Sequence, residues 1–114
     1  MISVENLKRY QGEGVYVGRK VGKLEGSVLG NPFKLKPRGC YDRDESVALY
    51  RRWLWKQIQN HEGKALAEIH RLKEKAIRCD LVLLCWCKHP DEEIACHADV
   101  IKSCIEWLIK QEEE

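Results

Sequence analysis

The sequence predicts an α/β fold: one small domain with a mostly parallel sheet flanked by helices in a Rossmann-like, three-layer arrangement. The first observation behind this is size, because 114 residues support one core and are too few for two. The second is composition: 44% hydrophobic and 33% charged residues match a globular chain and not a disordered one. The third is the order of patterns, which runs strand, long loop, two helices, strand, helix. Helices between two strands are what a right-handed crossover joining parallel neighbours requires.

Taken in order, Ile2 to Val4 reads as a short strand. Val15-Tyr16-Val17 is β-rich and bounded by Gly12, Gly14 and Gly18, the pattern of a short buried strand. Gly18, Gly22, Gly26, Gly30, Pro32 and Pro37 then mark a long loop, and loops of this length in a small domain are usually functional. Asp44 is expected to start a helix, with Val47, Tyr50, Leu54 and Ile58 following three and four apart, and Asn60 and Gly63 stop it. A second helix, from Lys64 to about Arg78, sets Leu66, Ile69, Leu72 or Lys73, and Ala76 on one face. Leu81 to Cys87 is a continuous apolar run, which fits a central strand covered on both faces. Lys88 to Ala95 is a polar loop containing Pro90, and the last helix begins near Cys96 and buries Val100, Ile101, Cys104 and Leu108. The motif-bearing part spans about 15–108, and 109–114 is an acidic end.

Several function classes are excluded by the same composition. Leu81 to Cys87 is the longest apolar run, far short of the roughly 20 residues a membrane helix needs. Met1 to Tyr10 carries Glu5, Lys8 and Arg9 among scattered apolar residues and does not read as a signal peptide. A net charge of +2 does not demand a nucleic-acid partner. The 6 cysteines are therefore expected as thiols or metal ligands in a reducing cytoplasm.

The segment Cys85 to Asp99 carries the densest chemistry. On a strand, Cys85 and Cys87 share one face and Trp86 takes the other. Cys96 and His97 open the next helix with Asp99 in its first turn, where unpaired amides favour a thiolate or a bound anion. Three readings stand. In the first, Cys85 and Cys87 are small buried hydrophobes and Asp99 a carboxylate favoured by the helix dipole. In the second, Cys85, Cys87, Cys96 and either His97 or His89 hold a structural zinc, although a C-x-C pair is a poorer chelate than the usual spacing. In the third, Cys96 is a nucleophile or His97 an acid/base, with Asp99 orienting.

The other motif segment ends a strand with Arg19 and Lys20 and continues to Gly30-Asn31-Pro32-Phe33. Asn31 precedes a proline and is held extended, which leaves its amide to project and read a polar edge. Arg19 offers five fixed donors to a phosphate or carboxylate. Phe33 either stacks on a ligand ring or plugs the core, with the core favoured. The glycines match no dinucleotide or P-loop fingerprint. In Tyr50-Arg51-Arg52-Trp53-Leu54-Trp55-Lys56, bases and aromatics interleave as in a nucleic-acid surface, yet helical spacing makes Trp53 core and leaves Trp55 as surface or interface. Trp107 is read as core in the same way.

Val15-Tyr16-Val17-Gly18-Arg19, Gly30-Asn31-Pro32-Phe33, Tyr50-Arg51-Arg52-Trp53-Leu54, Cys85-Trp86-Cys87 and Cys96-His97-Ala98-Asp99-Val100 occur in the order and spacing of one family. By them the chain resembles the bacterial and phage domain of unknown function numbered 4326, over most of its length, about 15–108. Lys88 to Ala95 and Gly18 to Gly30 look longer than the family's usual links. The resemblance implies that these motifs are the family's signature and brings no activity with it.

Both motif segments leave the carboxyl end of an expected strand, where parallel sheets hold their ligands. The expected function is recognition of a small anionic, nucleotide-like ligand between them. Arg19 and the Cys96 helix end would hold charge, Asn31 would read a polar edge, and Phe33 and Cys87 would line the crevice. Structural zinc is the alternative, a nucleic-acid accessory role ranks third, and no membrane is involved.

Overall fold

A computed structural model describes residues 2–8, 10–18, 26–33, 39–60, 63–85 and 96–113. Its elements are β1 (Ile2–Asn6), β2 (Val15–Tyr16), α1 (Arg43–Gln59), α2 (Lys64–Arg78), β3 (Leu81–Cys85) and α3 (His97–Glu113). The three strands form one parallel sheet in the order β1-β3-β2, a mixed α/β architecture.

The apolar run becomes the central strand, as its composition requires. Ile2 stands opposite Leu81 and Asn6 opposite Cys85, while Val15 and Tyr16 pair with Leu83 and Leu84. Leu81, Leu83 and Cys85 alternate onto one face and are at most 1% exposed within the main core. The helices cover that face: α2 and α3 pack against β3 and against each other, and α1 packs on both.

On the opposite face, because β1 and β2 flank β3 and both run parallel to it, the connection between them passes over β3, and its described residues 7, 8 and 10–14 form no helix. Gly14 marks the crossing: a Cβ there would lie 2.8 Å from Leu84 Cγ and 3.1 Å from the Val82 carbonyl oxygen. A short glycine-bearing stretch thus meets Leu84 on that face. At the far end, the Leu7 N–H bonds to the Cys85 carbonyl at 2.9 Å and the Val17 N–H to the Leu84 carbonyl at 3.0 Å, extending both ladders past the strands.

Helix α1 begins one residue before the expected Asp44. Asp42 is extended, and its carboxylate accepts the Glu45 N–H at 2.9 Å, so Asp42 is the cap and Asp44 sits favourably in the first turn. The buried stripe is Ser46, Tyr50, Leu54 and Ile58; Val47 is half-buried beside it. Gly63 adopts φ +111°, a left-handed conformation open to glycine, and turns the chain into α2. Along α2, Ala65, Leu66, Ile69, Leu72 and Lys73 are buried. The Lys73 ammonium pairs with Glu112 near the end of α3, clipping the two helices together.

Helix α3 buries Ala98, Val100, Ile101, Cys104 and Ile105, and half-buries Leu108. Trp107 departs from the core reading, at 45% exposed. Ile105 and Leu108 already take the inward positions, and at 100° per residue Trp107 falls on the flank. There it meets Trp55 edge to face, with ring centroids 5.1 Å apart. Trp53 is half-buried against the core beside Tyr50.

Candidate functional site at the carboxyl edge of the sheet

The strands end together. Asn6, Cys85 and Tyr16 are the last residues of three parallel neighbours, so the segments that follow them start from one edge. After β2 the chain comes back to that edge: the Ser27 N–H donates to the Gly18 carbonyl at 2.9 Å. Ser27 Oγ accepts the Leu29 N–H at 3.0 Å, a local serine turn that sends Leu29 inward to 0% exposure.

From there the loop is held by α1. Asn31 Oδ1 accepts the Phe33 N–H at 2.9 Å across Pro32, and Asn31 Nδ2 donates to Ser46 Oγ at 2.8 Å. Ser46 Oγ in turn donates to the Phe33 carbonyl at 2.6 Å. The expected freely projecting Asn31 amide is therefore an internal latch that shapes the turn and retains one N–H for other partners. Phe33 is half-buried, packs against the core and meets the Tyr41 ring edge to face at 5.8 Å, which agrees with the favoured reading of this residue.

The other wall is the beginning of α3. Cys96 precedes the helix, and its carbonyl accepts the Asp99 N–H at 3.0 Å. His97 is 7% exposed, with Nε2 at 2.8 Å from the Val17 carbonyl oxygen. A carbonyl only accepts, so Nε2 carries the hydrogen, and in the neutral ring the lone pair is on Nδ1, 3.9 Å from Cys96 Sγ. The Val17 carbonyl, just past the end of β2, thus orients the His97 ring. Cys96 Sγ also lies 3.2 Å from Cys85 Sγ, both sulfurs being buried.

Tyr50 joins the two walls. Its hydroxyl donates to the Leu29 carbonyl at 2.6 Å, and its ring stands edge to face against His97 at 5.2 Å. Burial pushes the phenol well above its ordinary range, with smaller contributions from Cys104 and Cys96. Burial likewise pushes the Cys104 thiol up to about 12, which makes it an inert core group. Ser46 and Tyr50 were missed as site residues because helical spacing marks them only as core positions. The signal available was chemical: a hydroxyl on a core stripe needs a partner.

Cys85, Cys96 and His97 are thus brought together, with Asn31 and Phe33 joined to them through Ser46 and Tyr50. Arg19 and Cys87 lie outside the described residues, as do Trp86 and His89. Among the described residues no three His, Cys, Asp or Glu side chains converge as a metal site. No helix is long and apolar enough to cross a membrane, the described residues alone being considered.

The family described as "Domain of unknown function (DUF4326)" matches residues 2–107, so the chain belongs to that family. No curated protein and no protein of solved structure matches it.

Proposed function

We propose that this member of the DUF4326 family binds a small anionic, nucleotide-like ligand at the carboxyl edge of its sheet, between the Gly30–Phe33 turn and the beginning of α3. The observation that carries the reading is the parallel pairing of β2 with β3, which starts both motif segments from the same edge. The tie from His97 to Val17 and the Tyr50 bridge support it, since they hold the two walls at a set distance. In this reading Arg19 supplies charge to the anion, the remaining Asn31 N–H reads a polar edge, and Phe33 and Cys87 line the crevice. The amides at the start of α3 favour the negative end of the ligand. The described cysteines form no disulfide, which fits a reducing, cytoplasmic setting.

Should binding proceed to chemistry, Cys96 with His97 Nδ1 is the nucleophile and base pair, and Cys96→Ser would abolish turnover while leaving binding intact. Titration calorimetry with nucleoside mono-, di- and triphosphates and inorganic phosphate tests the reading. The expected result is saturable binding by at least one nucleotide, weakened tenfold or more in Arg19→Ala and attenuated by salt. Absence of binding across the panel, or full affinity in both Arg19→Ala and Asn31→Ala, would overturn it.

A further inference from the structure

We infer that Cys85 and Cys96 form a reversible dithiol/disulfide couple, which ties the end of β3 to the beginning of α3 when oxidised by a peroxide. The inference does not depend on the ligand reading. It rests on the sulfur geometry and on the base beside it.

The two sulfurs are 3.2 Å apart, in side chains 0% and 1% exposed. A tetrahedral zinc with Zn–S bonds of about 2.3 Å holds its thiolates about 3.8 Å apart, wider than this pair. It lies about 1 Å beyond the disulfide bond length, the gap the sulfurs close when they bond. His97 supplies what a dithiol needs and a buried hydrophobic pair does not: Nδ1 near the Cys96 sulfur, in a ring held by the Val17 carbonyl. Burial selects the oxidant, since a hydrogen peroxide molecule reaches such a site more readily than a bulky disulfide.

The chemistry balances as follows. Cys96 passes its proton to His97 Nδ1, and the thiolate attacks one oxygen of hydrogen peroxide. The O–O bond breaks, the departing hydroxide takes the proton back and leaves as water, and Cys96 becomes a sulfenic acid. Cys85 Sγ then attacks Cys96 Sγ, the S–O bond breaks, and the hydroxide leaves with the Cys85 proton as a second water. Two thiols are oxidised by two electrons and one peroxide is reduced to two waters. A thiol reductant reverses the bond by exchange.

The test uses the full chain, reduced, freed of reductant, treated with hydrogen peroxide, then alkylated in denaturant and digested with trypsin. The expected product is lighter by about 2 Da before alkylation and yields residues 79–88 cross-linked to 89–102 through Cys85 and Cys96. Dithiothreitol should remove the cross-link. Cys87→Ser should keep it; Cys85→Ser should lose it and carry Cys96 on to the sulfinic acid, with circular dichroism confirming that both variants fold. A bond through Cys87, sulfinic acid at Cys96 of the wild type, or thiols untouched at a peroxide dose that oxidises the unfolded chain would each overturn the inference. So would a co-purified zinc ion that shields both cysteines until a chelator is added.

Discussion

Tyr50→Phe is the perturbation that most directly probes how the site is held. It removes one oxygen and keeps the ring that packs on Trp53 and His97, so the core volume is nearly unchanged. What is lost is the 2.6 Å bond to the Leu29 carbonyl, in a place where both residues are 0% exposed. An ordinary hydrogen bond contributes about 1 kcal/mol net, but stranding a buried acceptor costs about 1–3 kcal/mol, and the second figure applies here. A destabilisation near 2 kcal/mol corresponds to a fall in the urea midpoint of about 1 M with unchanged slope, or roughly 10 °C in Tm. Hydrogen exchange should locate the effect. The Leu29 and Gly30 amides, which bond to Ser27, should exchange faster by a larger factor than the β3 amides.

The same variant has an alkaline signature. Burial raises the Tyr50 pKa above its ordinary 10.0, so above that pH the unfolded chain releases a proton that the folded chain retains. Unfolding is then favoured increasingly with pH, by up to about 1.4 kcal/mol per pH unit per group. The stabilisation is complete below about pH 10 and fades above it, and Tyr50→Phe should remove that component. A loss below about 0.5 kcal/mol at neutral pH, with loop exchange unchanged, would refute the reasoning, because Leu29 would then have another partner.

Two further outcomes are expected. Gly14→Ala should destabilise by about 1–3 kcal/mol in urea unfolding, since the new methyl meets Leu84 and the Val82 carbonyl; a neutral result would mean that Gly14 does not press on β3. Cys104, raised by burial from 9.0 to about 12, keeps its proton in the folded chain while the unfolded chain loses it, so its stabilisation is present below about pH 9 and is lost as pH rises towards 12. Unfolding curves between about pH 9 and 10.5 should fall with a slope that Cys104→Ala reduces, and a slope unchanged by the substitution would show that the thiol titrates as in the open chain.

Most of the secondary structure was legible because it rests on local periodicity. Lys64 to Arg78 was readable from its apolar spacing and from the glycine before it, and Leu81 to Cys85 from being too apolar for anything but a central strand. The beginning of α1 was misjudged by one residue because Asp42 and Asp44 are both competent caps, and only backbone dihedrals distinguish them. Trp107 was misassigned because a tryptophan near an apolar stripe is ambiguous until the neighbouring elements are in place.

The site divides along the same line. The order of side chains establishes which chemical groups exist and which strand ends they follow: Cys85 and Cys96 about a loop's length apart, His97 at a helix start, Asn31 before a proline. Only the tertiary structure decided what each one touches. The Val17 carbonyl that orients His97 and the Leu29 carbonyl that receives Tyr50 are backbone groups, identical in every residue type and invisible in a string of side chains. Ser46 became the centre of the Asn31 latch because α1 is brought against a loop that precedes it by 15 residues. Likewise the two sulfurs meet because β3 and α3 are packed together, a long-range contact that no local spacing encodes.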